Sequence, residues 1–125
     1  MAIKINKSEN KLLNLPGRMS CEVVAGSAVK SNISVRVVEI PAGVQKSKRS
    51  LHYHPNTDEC IYVLEGTGRT ETTNESFDLQ EGDSIIVSAG EMHRTLNSGN
   101  KILKLICFFP SAEVETSNDL SLIHI

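Results

Sequence analysis

The chain has 125 residues, 13 Lys+Arg against 15 Asp+Glu, and a formal net charge of −2. One domain is the expectation at this length, with enough buried surface for a core without disulfides. The missing basic excess argues against a nucleic-acid binder. The longest strictly apolar run, Leu105 to Phe109, is far short of a membrane span. The N-terminus has no apolar stretch of the kind a secretory signal needs, so a cytoplasmic protein is expected.

The chain reads as many short strands broken by Gly, Asn, Asp and Pro, an all-β pattern. Residues 1–20 are expected to hold a short helix or strand around Leu12, Leu13 and Leu15. Strands are predicted at Ile33–Ile40, Leu51–His54, Cys60–Leu64, Arg69–Thr73, Ser76–Leu79, Ser84–Val87, His93–Asn97 and Ile102–Phe109. No stretch keeps an apolar helical period long enough for a helix. Residues 111–125 are polar until Leu120, and that tail either adds an edge strand or is disordered. Such strands must close or stack to bury their apolar faces, which suggests a barrel or jelly roll with a ligand-sized interior.

Cys21, Cys60 and Cys107 are an odd set without a CxxC pair. They read as three reduced thiols acting as small hydrophobes, with no feature marking a nucleophile. Histidine is more informative. His52 and His54 are two apart, so on a strand both face one way. Pro55 ends that strand, and Glu59 opens the next, able to fold back beside the pair. His93 supplies a third imidazole at the start of another strand. Three imidazoles and a carboxylate suit one divalent transition metal, Fe, Mn, Ni, Co or Zn, and leave positions for substrate.

These segments resemble the two motifs of the cupin superfamily. The first motif asks for a glycine, His-x-His, a Glu three or four residues on, and a glycine after six more. Here His52, His54, four residues, Glu59, six residues and Gly66 follow it from the first His onward. The second motif is matched by Gly82, five residues, Ser88 to Gly90, two residues, His93, three residues and Asn97. Fifteen residues separate Gly66 from Gly82, a short spacer for this family. The resemblance implies a single-domain cupin β-barrel, a double-stranded β-helix or jelly roll, over residues 1–125. Its core would span about 20–110, with 1–19 and 111–125 as terminal extensions.

The resemblance further implies that His52, His54, Glu59 and His93 are the metal ligands. Asp58 competes with Glu59, but the six-residue step to Gly66 favours Glu59, and strand alternation turns Asp58 away. Gly66, Gly82 and Gly90 would sit at turns needing positive φ. Asn97 would stabilise a strand end. Two departures stand out. Ser88 replaces the usual proline, which costs rigidity but not the turn. Eight residues rather than five precede His52 after Gly43, and this longer loop carries Lys46, Lys48 and Arg49. It reads as a solvated loop, with a positive rim for an anionic substrate as the alternative.

Fold does not choose the reaction. Strand parity leaves Tyr62 or Val63, Thr95, Arg36 or Val37, and Cys107 or Phe108 as cavity candidates; an inward Arg36 would be a carboxylate anchor, but Arg36 is expected at an edge on the surface. The first functional reading is a metalloenzyme acting on a small oxygen-rich molecule: isomerase or ring-opening, dioxygenase, decarboxylase or cyclase. The second is a non-catalytic sugar- or carboxylate-binding or sensing module. A purely structural metal is the least favoured, since such sites are usually closed and Cys-rich. Expected partners are a small-molecule ligand and, by family habit, a second copy in a homodimer, with no nucleic acid or membrane.

Overall fold

The computed structural model describes residues 1–118. Its strands are β1 (Lys11–Leu15), β2 (Arg18–Val24), β3 (Ser34–Ile40), β4 (Glu59–Glu65), β5 (Gly68–Thr72), β6 (Ser76–Leu79), β7 (Ser84–Val87), β8 (His93–Asn97) and β9 (Leu103–Phe109). Every paired strand is antiparallel. One sheet has six strands in the order β1-β2-β3-β9-β4-β7, and the other has three in the order β6-β5-β8. This is the jelly-roll barrel expected from the strand-and-breaker pattern.

Period-two alternation puts one apolar set inside. Val38 and Ile40 of β3, Ile61 and Val63 of β4, and Leu103, Leu105, Cys107 and Phe109 of β9 join Leu79 and Val87 in one buried cluster. The N-terminal segment resolves as strand rather than helix. Pro16 and Gly17 form a two-residue turn, with Gly17 at φ +73° and Leu15 opposite Arg18, so β1 folds onto β2. Both strands join the larger sheet through the pairing of β2 with β3.

The strand expected at Leu51–His54 does not form as one. His52 pairs with His93, and Tyr53 pairs with Ser117. Pro55 stops the segment before either ladder can lengthen. Ser117 belongs to the tail, whose described part lies along this segment. Asn56 Nδ2 donates to Glu113 O at 2.8 Å, and Glu115 N donates to Asn56 Oδ1 at 3.0 Å. The expectation for Leu120–Ile125 falls outside the described residues.

The turn assignments hold. Gly66, Gly82 and Gly90 have φ of +85°, +89° and +82°. Asn97 Nδ2 donates to Ile40 O at 2.9 Å and Lys101 O at 2.7 Å, tying a strand end as expected. Despite Ser88, the turn closes, with Glu91 N donating to Ser88 O at 3.1 Å. Cys21, Cys60 and Cys107 are free and lie in β2, β4 and β9.

Two glycines separate conformation from contact. A Cβ at Gly82 meets nothing within 4 Å, whereas one at Gly66 lies 2.6 Å from Ile102 O. Gly82→Ala should therefore cost about 1–2 kcal/mol, from the left-handed backbone alone. Gly66→Ala should lower the urea midpoint further, because a backbone carbonyl must also move. Equal midpoints for the two variants would refute the close contact at Gly66.

Candidate metal centre

The two-sided pairing at residues 52 and 53 builds the site. His52 N donates to His93 O at 3.0 Å and His93 N donates to His52 O at 2.8 Å, locking the two histidines side by side. Gly90 N donates to His54 O at 2.9 Å, fastening the turn before β8 to the same segment. The ring centroids lie 5.2 Å apart for His52–His54, 4.4 Å for His52–His93 and 5.3 Å for His54–His93. One ligand atom from each of the three lies within 4.8 Å of the others, which makes a possible three-histidine metal site.

Glu59, the first residue of β4, enters from below. Its Oε1 lies 3.0 Å from His93 Nε2 and 3.3 Å from His54 Nε2. Asp58 turns the other way, accepting from Ala89 N at 2.9 Å, as alternation requires. All four histidine and glutamate positions singled out in the sequence are thus brought together.

The outer nitrogens decide what the inner ones do. The Nδ1 atoms of His52, His54 and His93 face the carbonyls of Ser50 at 3.3 Å, Glu115 at 3.0 Å and Glu91 at 2.8 Å. A carbonyl only accepts, so each Nδ1 carries the ring proton. Nε2 of His54 and of His93 is then the atom each ring turns toward Glu59 Oε1. Each contact is a hydrogen bond to Glu59 when Nε2 carries a proton, and a cation takes the proton's place when it does not. This donor set, with Nδ1 anchored and Nε2 free, fits a divalent transition metal.

Electrostatics keeps the groups ready. Burial pushes the His52 imidazole down to about 3, and His93 and His54 push the same way, so the ring is neutral near pH 7. Burial pushes the Glu59 carboxyl up, but hydrogen bonds from His54 and His93 outweigh it and hold Glu59 well below the usual carboxylate range. Burial, followed by the Glu59 charge, pushes the Cys107 thiol up. Cys107 therefore stays protonated and is a poor nucleophile.

The cluster opens into a cavity of about 60 Å³. That is room for a few water-sized groups. Val38, Leu105 and Phe109 form an apolar wall, and Phe109 meets His54 edge-on at 5.2 Å. Thr95 and Cys107 face in, as parity allowed, and their alternative Phe108 faces out. From β4 Ile61 lines the cavity, Val63 is buried in the core, and Tyr62 is exposed. Arg36 is a correction. It was expected on the surface, yet it lines the cavity, because β3 puts it on the same face as Val38 and Ile40.

Two further residues, Arg18 and Ser20, were missed in the sequence and line the cavity, and of the Lys46, Lys48 and Arg49 loop, read as solvated with a positive rim as the alternative, Arg49 lines it too. The Pro16-Gly17 turn and the two-residue step from Arg18 to Ser20 were the available signals for the first two. Arg49 is also parted from its basic neighbours. Lys46 and Lys48 are exposed, Lys46 reaching Glu71 at 3.2 Å, whereas Arg49 is buried and donates to Thr95 O through Nε at 3.1 Å and Nη2 at 2.9 Å.

Comparison with known proteins agrees with this fold. The sequence profile of the cupin domain family matches residues 36–109. The chain belongs to the cupin family. This cupin is 37% identical over 79 residues to the uncharacterized protein MJ1618 of Methanocaldococcus jannaschii, a match covering 63% of this chain and 59% of that protein. It is 35% identical over 49 residues to the tetracenomycin polyketide synthase protein TcmJ of Streptomyces glaucescens, covering 39% of this chain and 33% of that one. Among solved structures, Lactobacillus farciminis oxalate decarboxylase in its formate complex superposes with a TM-score of 0.77 at 22% identity. That alignment covers 88% of this cupin but only 33% of the decarboxylase chain. Bacillus subtilis oxalate decarboxylase, which has Mn(II) centres, gives 0.75 at 22% identity, covering 88% and 30%. At that identity the likeness concerns the fold alone.

The His52 shift has a sign that can be checked. An unfolded chain takes up this proton near 6.5, whereas the folded ring resists it down to about 3. Stability from His52 is therefore full above about 6.5 and lost as pH falls toward 3; Glu59 acts in the same direction at lower pH. The urea midpoint of metal-free protein should fall steadily between about pH 7 and pH 4. His52→Gln should flatten that slope.

Proposed function

We propose that this cupin is a metal-dependent enzyme acting on a small, oxygen-rich organic molecule. One divalent transition metal would be held by His52, His54, Glu59 and His93. The observation that carries this reading is the convergence of Nε2 of His54, Nε2 of His93 and Glu59 Oε1 within hydrogen-bond distance, beside a cavity. A metal there supplies Lewis acidity toward substrate oxygen. The chain's own residues do the rest. The carbonyls of Ser50, Glu115 and Glu91 aim the rings, Glu59 balances charge, and Val38, Leu105 and Phe109 exclude water. Manganese in the Bacillus subtilis decarboxylase supports a metal of this class. A decarboxylase and a polyketide synthase protein among the similar proteins leave the reaction class open. The free thiols at Cys21, Cys60 and Cys107 support a reducing, cytoplasmic setting. Among the described residues, no helix is long and apolar enough to cross a membrane.

Elemental analysis of untagged protein should find close to one transition metal per chain. His52→Ala and His93→Ala should each remove most of it; unchanged metal content would refute the ligand assignment. Metal-replete protein should then turn over a member of a panel of small hydroxy, keto and carboxylic compounds. Tight reversible binding without turnover would instead favour a binding module.

A homodimer is part of the same proposal. The outward face of β4, β7 and β9 is apolar, with Tyr62, Leu64, Ile86 and Phe108 at 38%, 41%, 64% and 38% exposure. Cys60 lies in register between Ile86 and Phe108, so these side chains form one patch. Light scattering should give about twice the chain mass of 13.7 kDa. Ile86→Asp should shift the protein to monomer while leaving its circular dichroism unchanged.

A further inference from the structure

The cavity wall supplied by β2 and β3 is cationic, and its charge is not balanced. Arg18 and Ser20 stand two apart on β2 and face inward together. Ser20 is opposite Val38 in register, and Arg36 lies two residues before Val38 on β3. The three side chains therefore share one area of the inner face. Their hydrogen-bonding capacity is largely unused. Arg36 Nε and Ser20 Oγ are the buried side-chain polar atoms without a partner among the described residues, and Ser20 is only 1% exposed. Arg36 Nη2 approaches Glu22 Oε2 at 4.0 Å, too long for a hydrogen bond. Arg18 has one bond, from Nη1 to Pro16 O at 3.3 Å. Arg49 differs, since two of its nitrogens are spent on Thr95 O, and it acts as a strut that adds charge.

Burial and mutual repulsion hold the Arg18 guanidinium below its ordinary value, Arg36 being the first charge responsible. Glu59 also faces the cavity, but its Oε1 is committed to His54 and His93. Three guanidinium groups stand against two carboxylates, Glu59, which is committed to the histidines, and Glu22, which is opposite Arg36 in register and only 4.0 Å from it at its Oε2, so the cavity keeps a net positive charge. Unpaired buried donors and an excess of buried positive charge are both costly, and an anion relieves both. The planar guanidinium fork matches a carboxylate, and the apolar wall of Val38, Leu105 and Phe109 suits a carbon skeleton.

We propose that Arg18, Arg36 and Ser20 form a carboxylate-binding subsite, so that the substrate is a small carboxylic acid anchored there with its remaining oxygens toward the histidines. The anchor stands on these residues alone; the orientation toward the histidines rests on reading His52, His54, Glu59 and His93 as a metal site. Arg36 is a specificity-determining residue in this arrangement. Its charge sets affinity, and its fork sets the preference for a planar anion.

Calorimetric titration tests this with malonate, its neutral diamide malonamide, and inorganic phosphate. Each is added to chelator-treated and to zinc-loaded protein in low-chloride buffer. Malonate should bind both forms, and malonamide neither. Arg36→Gln and Arg18→Gln should each weaken malonate at least about tenfold, and Ser20→Ala a few-fold. Arg36→Lys, which keeps the charge but not the fork, should fall between Arg36→Gln and the unaltered protein. All four variants should keep the unaltered protein's metal content and circular dichroism. No malonate binding to either form overturns the subsite, as does unchanged binding in both glutamine variants. Phosphate binding tighter than malonate overturns the carboxylate assignment. Malonate binding by a protein that takes up no metal upholds the anchor and refutes the metal reading; metal uptake without malonate binding does the reverse.

Discussion

Three backbone carbonyls decide how the imidazoles face. Ser50, Glu91 and Glu115 hold the Nδ1 atoms of His52, His93 and His54, so the rings cannot rotate away without losing a hydrogen bond. Two of those carbonyls are local, each two residues from its histidine, and come with any turn of that shape. The third comes from the tail, 61 residues along the chain, held by Asn56 and by the Tyr53–Ser117 bridge. The centre is therefore partly assembled by a segment that no pattern around the histidines announces. This arrangement also links fold to chemistry. The backbone groups that satisfy the barrel's irregular edge are the same ones that aim the side chains.

The barrel interior divides by polarity along its length. Ile40, Val63, Leu79 and Leu103 close one end with apolar side chains. Toward the histidines the same strands change character. β4 passes from Val63 and Ile61 to Glu59, and β3 from Ile40 and Val38 to Arg36. A buried carboxylate and buried guanidinium groups lower the stability of an interior unless each is satisfied. Glu59 is satisfied by two histidines, and Arg49 by Thr95 O. Arg36 Nε and Ser20 Oγ are not. The apolar end supplies burial that tolerates such a site, and the unsatisfied groups mark where an incoming molecule gains most.

Much of this was readable along the chain. The strands at Ser76–Leu79, Ser84–Val87 and His93–Asn97 have the bounds predicted from alternation and breakers. The two-residue step from His52 to His54, the recoil of Asp58 and the strand-end role of Asn97 follow from local geometry. Other features were not readable, for physical reasons. The Leu51–His54 segment has strand-like composition, but its neighbours on the two sides differ, so no ladder propagates. Arg36 looked like a surface residue because charge is normally solvated. Its alternation with Val38 and Ile40 counted for more.

By itself the sequence determined the all-β class, the places where the chain turns, and the three histidines whose ring nitrogens lie within reach of one point. Each of these depends on residues close along the chain, where strand periodicity and turn chemistry act directly. Only the tertiary structure decided that the tail orients His54, that Arg49 leaves its basic neighbours to brace Thr95, and that Arg18, Ser20 and Arg36 face the same cavity. Those relations depend on which strands become neighbours when the sheets close. Closure is a packing outcome shared among the nine strands of the described residues, and no local pattern encodes it.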